Sequence, residues 1–292
     1  MSRLARVLRM IRFEHSVFAL PFALAGAWLA AGGLPPIRDL AGTAVAAVAG
    51  RSAAMAFNRL ADRRFDASNP RTADRELVTG SLEVGWTSGF TLVCSLLFVV
   101  TSFWLAPICG WLSLPVLALL LGYSLLKRFT LLCHFGLGLA LACAPCGAWL
   151  AVAKAFRPGW PVPLWIGAGV VAWVAGFDLL YAIQDIDHDR REGLHSIPAR
   201  FGQRRSRRLA AGLHLLAVAL WIRAGVLAGL GPGYAAGLLL VALLLAAEHL
   251  VLRGGRIDRV PLAFFRINAW VGPAFFTGVL AGIHLGGPKL AG

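Results

Sequence analysis

Two acidic stretches hold most of the residues that could do chemistry. One is Asn58-Arg-Leu-Ala-Asp62-Arg-Arg-Phe-Asp66, followed by Asp74 and Glu76; the other is Asp178-Leu-Leu-Tyr181-Ala-Ile-Gln-Asp185-Ile-Asp-His-Asp189, followed by Glu192. The whole chain has only 14 Asp and Glu, so this concentration is not a by-product of composition. On a helix turning about 100° per residue, Asn58, Asp62 and Asp66 advance by about 40° each and share one stripe. In the second stretch Asp185 and Asp189 fall within about 20° of Asp178, whereas Asp187 points the opposite way and is expected to be solvated. Carboxylates gathered on one surface repel unless protonated or bridged by cations. Oxygen ligands without Cys or His on the stripe suit Mg²⁺, which keeps waters and completes its shell from carboxylates and substrate phosphates. Arginines interleaved with such a site point to a polyanionic ligand.

The elements that must position these residues are membrane spans. The 292 residues are 58% hydrophobic and 14% charged, with mean hydropathy +0.72, which is the composition of an all-α polytopic membrane protein. A span needs about 20 mostly apolar residues, and nine candidates are expected at 16–34, 40–57, 84–105, 109–126, 132–153, 163–182, 209–229, 234–252 and 264–285. The basic start, Arg3 to Arg12, leads into a long apolar run without a cleavage site, so it reads as the first span and not as a signal peptide. Lys and Arg divide 21 to 5 between the two sides, with Arg51 and Arg266 inside spans. By the positive-inside rule the N-terminus and both acidic stretches are cytoplasmic, the C-terminus is outside, and the chain belongs in the inner (cytoplasmic) membrane. The net charge of +14 then reflects topology and attraction to anionic lipid, not a nucleic-acid partner. Ionised carboxylates at membrane depth cost about 2.5–3.5 kcal/mol each and mark functional sites. Their repetition at the ends of the second and sixth spans suggests an internal repeat that sets two Asp-rich motifs face to face.

At this point the residues resemble a known family. Asn58-x3-Asp62-x3-Asp66 followed by Asn69-Pro-Arg71-Thr72-x2-Arg75, and Asp178-x2-Tyr181-Ala-x2-Asp185-x3-Asp189-x3-Gly193-x2-Ser196-x-Pro198-x3-Gly202, are similar to the two signature motifs of the UbiA superfamily of intramembrane prenyltransferases. Tyr123-x3-Lys127-Arg128-Phe129-Thr130 resembles its basic loop between the fourth and fifth helices. The resemblance covers the whole chain. It implies one domain over 1–292 with motif 1 at 58–75, the basic loop at 123–130 and motif 2 at 178–202. It also implies transfer of an isoprenoid from a polyprenyl diphosphate to an aromatic acceptor, with Mg²⁺ bridging the diphosphate to Asn58, Asp62, Asp66, Asp185 and Asp189. On this reading Arg71, Arg75, Tyr123, Lys127 and Arg128 attend the diphosphate, while Asp178, Tyr181 and Asp185 are the catalytic candidates, Asp178 as cation stabiliser or ring-proton base. Arg59 departs from the family, where Asp commonly follows the Asn; it is expected off the ligand stripe.

Phe13 to Phe22, Ala54 to Arg59 and Gly193 to Pro198 most resemble the 4-hydroxybenzoate polyprenyltransferase-like branch associated with menaquinone made through futalosine. That implies a dihydroxynaphthoate acceptor, with 4-hydroxybenzoate, the ubiquinone-type acceptor, as the alternative. The acceptor's carboxylate calls for a cation or rim residue, for which Arg12, His15 and Arg51 are the candidates. A cation-coupled transporter is the alternative from a different class, but its carboxylates sit mid-membrane on broken helices. A CDP-alcohol phosphotransferase would need Asp-Gly and Ala-Arg within the acidic motif, which are absent there. Cys143-x2-Cys146 lies inside an apolar span and reads as core. His134, His214, His249 and His284 read as isolated packed or interfacial residues.

Overall fold

Proline marks the start of helix after helix, as expected where the first-turn N–H groups have no intrahelical acceptor. A computed structural model describes residues 3–11 and 18–285, and among these there is no strand. The helices are α1 (Arg3–Met10), α2 (Leu20–Ala31), α3 (Ile37–Ser68), α4 (Val84–Leu105), α5 (Pro107–Gly122), α6 (Cys133–Ala153), α7 (Pro161–Ala182), α8 (Ile186–Arg191), α9 (Ile197–Leu227), α10 (Pro232–Val251), the single turn α11 (Val260–Leu262) and α12 (Val271–His284). Pro21, Pro107, Pro161, Pro198 and Pro232 stand in first turns.

Among the described residues, seven helical runs are long and apolar enough to cross a membrane: α3, α4, α5 with its 3₁₀ continuation to Arg128, α6, α7 with its continuation to Arg191, α9, and α10 with its continuation to Gly255. The expected span at 16–34 corresponds to α2, only 12 residues long and closed by Gly32 in the left-handed conformation; residues 12–17 lie outside the described set. The span expected at 264–285 is interrupted by a π turn at Ala263–Ile267 and a 3₁₀ turn at Asn268–Trp270 before α12. Asn268 explains the break. It is buried, accepts from Trp173 Nε1 at 2.9 Å and donates to Glu248 Oε1 at 3.0 Å, a polar chain that hydropathy does not register. Beside it His214 Nδ1 and His249 Nε2 lie 3.0 Å apart, so these histidines are not isolated as expected.

α7 is the central helix, packed between α6 and α9, while α3 pairs with α4, α2 with α6, and α10 with α12. Phe22, Trp173, Trp221 and Phe275 stack and tilt against one another in the core. Close backbone approach is bought by small residues, as in membrane bundles generally: a Cβ on Gly237 would stand 2.4 Å from Gly278 Cα, and one on Gly138 2.7 Å from the Val171 carbonyl oxygen. Leu92, Val93, Val100, Leu215, Val226 and Leu239 are exposed on the outside of the bundle, where an apolar surface fits lipid.

Candidate active site

The first motif stands on a helix that outruns its apolar window. α3 continues to Ser68, and this extension brings Asn58, Asp62 and Asp66 onto the wall of one cavity of about 310 Å³. Asn58 Nδ2 donates to Asp62 Oδ2 at 2.8 Å, and Arg75 Nη1 reaches both Asp66 oxygens at 2.6 Å. After α3 the chain turns on Asn69, whose side-chain oxygen accepts from Arg71 N at 3.0 Å. The turn becomes a clasp between the motifs. Arg71 donates Nε to Asp185 Oδ1 at 2.9 Å and Nη2 to Oδ2 at 2.7 Å, Asn69 Nδ2 donates to Asp185 Oδ1 at 3.0 Å, and Arg71 Nη1 donates to the Tyr181 hydroxyl at 2.9 Å. Burial works against the Arg71 charge, but its bonds to Asp185 more than offset this and raise its pKa above the ordinary guanidinium value.

The second motif departs from a continuous α-helix. α7 ends at Ala182 and a 3₁₀ turn spans Ile183–Asp185 before α8. Three residues at roughly 120° instead of 100° add about 60° of rotation. Asp178, Tyr181 and Asp185 keep the cavity face, and Asp187 is exposed as expected. Asp189 does not share that face. It is fully buried, 2.7 Å from Lys127 Nζ and accepting from Ser196 Oγ at 2.7 Å, beside His188 of the cavity wall, so the single helical face expected for Asp178, Asp185 and Asp189 is not formed. Ser196 also caps α9 by accepting from Ala199 N, while Gly193 and Gly202 adopt φ of +66° and +77°. The spacing of Gly193, Ser196, Pro198 and Gly202 is thus the spacing of a tight turn, a cap and a kink.

The basic loop is a 3₁₀ turn, Tyr123–Arg128, that sets Tyr123, Lys127 and Arg128 on the cavity wall. Arg128 Nη2 donates to the Ala61 carbonyl at 2.5 Å and stands 3.7 Å from Asp62 Oδ1. Arg51, two turns before Asn58 on α3, lines the cavity; Arg12 and His15 lie outside the described residues. Arg59 is buried yet lines the cavity too, donating to Asn58 Oδ1 at 3.0 Å and to the Met10 carbonyl at 3.3 Å, which corrects its expected placement away from the ligands. Phe18, Leu137, Leu141 and Phe177 wall the apolar part.

Among the cavity residues that sequence reasoning missed are His134 and His188. His134 Nδ1 lies 2.6 Å from Asp178 Oδ2. The only sequence signal was its place just after the basic loop, because its partner is 44 residues away.

Asn58, Asp62, Asp66 and Asp185 could hold a hard divalent cation, being oxygen donors on two walls joined by the Arg71 clasp. Among the described residues no three Asp, Glu, His or Cys side chains converge as a closed metal cage. Six cations, Arg51, Arg59, Arg71, Arg75, Lys127 and Arg128, line the same cavity and suit a polyanionic ligand.

Residues 19–270 match the UbiA prenyltransferase family. The chain belongs to that family. It is 33% identical to the 4-hydroxybenzoate octaprenyltransferase of Paracidovorax citrulli, covering 97% of this chain and 96% of that one, and 32% identical to the protein of the same name from Alkalilimnicola ehrlichii, covering 90% and 88%. Among solved structures it is similar to the apo UbiA homologue of Aeropyrum pernix K1, with TM-score 0.83, 33% identity and coverage of 92% and 98%. The fold also matches a UbiA homologue from Archaeoglobus fulgidus bound to DMAPP and Mg²⁺, with TM-score 0.72, 18% identity and coverage of 95% and 99%. The protein is therefore an integral membrane prenyltransferase of the UbiA family, and its paired acidic walls are set in the UbiA fold.

Proposed function

We propose that this prenyltransferase moves a polyprenyl group from an allylic diphosphate to an aromatic acid of the 4-hydroxybenzoate type. One observation carries the reading: the Asp62/Asp66 wall and the Asp185 wall open, with Arg71, Arg75, Lys127 and Arg128, onto the same cavity as Arg51 and an apolar end. The names of the curated relatives favour the monocyclic acceptor over the dihydroxynaphthoate implied by the sequence resemblance. The A. fulgidus homologue, bound to DMAPP and Mg²⁺, supports an Mg²⁺-assisted diphosphate site.

Asn58, Asp62, Asp66 and Asp185 would hold Mg²⁺, which when bound neutralises the diphosphate and makes it a better leaving group. The chain's own residues then divide the work. Arg71, Arg75, Lys127 and Arg128 take up the charge that develops on departing pyrophosphate, with Asp189 holding Lys127 in place. Tyr123 and Tyr181 present π faces to the allylic cation. Arg51 pairs with the acceptor carboxylate and so turns the ring carbon beside the hydroxyl toward that cation. Asp178 takes the ring proton. The whole chain, 1–292, acts as one domain of nine spans, α2 and the broken α12 segment being the first and last, in the inner membrane with N-terminus and acidic motifs cytoplasmic.

A second reading keeps the bicyclic acceptor, because Phe18, Phe177, Leu137 and Leu141 offer an apolar aromatic wall to an additional ring. Such a contact is worth about 1–3 kcal/mol of discrimination. The test measures kcat/KM of purified protein with 4-hydroxybenzoate and with dihydroxynaphthoate at matched prenyl diphosphate. The expected outcome is Mg²⁺-dependent pyrophosphate release and a prenylated acid, with 4-hydroxybenzoate preferred. A higher value for dihydroxynaphthoate would install the second reading, and cation flux without any prenylated product would install the transporter.

A further inference from the structure

His134 sits near the start of α6 with its ring against α7. It is 2% exposed, its Nδ1 lies 2.6 Å from Asp178 Oδ2, and the Asp178 side chain is 25% exposed. Because the partner is a carboxylate, Nδ1 carries the hydrogen and donates it. Both residues line the cavity, so this pair differs from an ion pair sealed in a core: one carboxylate edge is engaged by the imidazole and the group still opens onto the space where substrates bind.

The remaining carboxylates on the cavity wall have other neighbours. Asp66 is held by Arg75, Asp185 by Arg71 and Asn69, and Asp62 by Asn58 with Arg128 near. A carboxylate clamped by guanidinium is a poor proton acceptor, since taking the proton forfeits a charge-assisted bidentate bond. Among the described residues no guanidinium clamps Asp178, which stands on α7 seven residues before Asp185, a rise of roughly 10 Å, and shares the cavity wall with Phe177 and Leu137. That is where the ring would meet the allylic carbon if the diphosphate lies at the Asp185 level. A donor at 2.6 Å fixes the group's orientation.

We infer that His134 is a positioning residue for ring-proton removal: by donating Nδ1–H to Asp178 it holds that carboxylate in one orientation, aimed into the cavity. The inference rests on the proposed prenyl transfer. In that step the allylic C–O bond breaks and its electron pair leaves with pyrophosphate. A π pair of the ring forms the new C–C bond. The C–H pair at the same ring carbon then returns to the ring while its proton passes to the Asp178 carboxylate, and the neutral carboxyl later gives that proton to water through the open cavity.

The experiment compares wild type, His134→Leu and His134→Asn, each purified in detergent, with acceptor carrying hydrogen or deuterium at the prenylated ring carbon. His134→Leu removes the donor, and kcat is expected to fall about a hundredfold, in line with the contribution of positioned acid–base groups. Both KM values should move little, and a primary deuterium isotope effect absent from the wild type should appear, because proton loss has become slow. His134→Asn keeps an N–H near the Nδ1 position and should retain at least about a tenth of wild-type kcat with a weaker isotope effect. A kcat loss in His134→Leu without an isotope effect, or unchanged kcat, overturns the inference and leaves the pair a packing contact. If His134→Leu does not fold, His134→Asn decides: activity as low as that of Asp178→Ala refutes a role filled by the N–H alone. A wild-type enzyme that forms no prenylated acid defeats the proposed function itself, and this is seen before any variant is compared.

Discussion

Among the acidic side chains, those that line the cavity differ in their surroundings from Asp189. Asp62 faces the cavity, whereas Asp189 is wholly buried against Lys127 and Ser196. Asp62→Asn is therefore expected to abolish most turnover with little change in thermal stability. Asp189→Asn should lower the unfolding temperature as well, since breaking a buried pair costs roughly 3–5 kcal/mol; thermal unfolding of the two detergent-solubilised variants, run beside turnover, checks the contrast. Arg71 makes two parallel bonds to Asp185 and a third to Tyr181, a fork that lysine cannot reproduce. Arg71→Lys should raise the KM for prenyl diphosphate by about tenfold or more, as loss of one charged hydrogen bond predicts, and leave the acceptor KM nearly unchanged. Asp187, exposed and outside the cavity, should tolerate Ala with near wild-type kcat.

At the scale of elements, the site depends on where helices stop being regular. Beyond the 3₁₀ turn that follows α7, Asp185 lies on the cavity while Asp189 is buried beside Lys127. Asn268 interrupts the last helix and joins Trp173 to Glu248 across three elements. Asn268→Leu strands two buried polar groups, at about 1–3 kcal/mol each, and should lower the unfolding temperature; an unchanged midpoint would show that the chain of bonds adds nothing to stability. Gly237→Val pushes a side chain into the Gly278 backbone, which cannot rotate aside as a side chain can. Overpacking of this kind costs typically 1–3 kcal/mol, or more where backbone must move, so its midpoint should also fall.

For the molecule as a whole, the proposed topology, nine spans with the N-terminus cytoplasmic, rests on the charge bias: it expects a reporter active only in the cytoplasm and fused after Gly292 to be silent, and a strong signal would reverse it. The membrane class, the positions of most helices and the facing of Asn58, Asp62 and Asp66 were legible in the chain, because apolar runs of span length and a 3.6-residue period are local properties. So was the family, since its motifs are contiguous segments. Other features needed the tertiary structure. Arg71 meets Asp185 across 114 residues and His134 meets Asp178 across 44, and no local period encodes a contact between helices far apart in sequence. A regular helix through 178–189 would set Asp189 on the face of Asp178 and Asp185; the 3₁₀ turn that breaks the period, and the partners of Asp189, Lys127 from the basic loop and Ser196 at the cap of α9, are features no local period encodes. Sequence determined which residues could do the chemistry; folding decided which of them share a cavity, because that depends on helix rotation and long-range pairing.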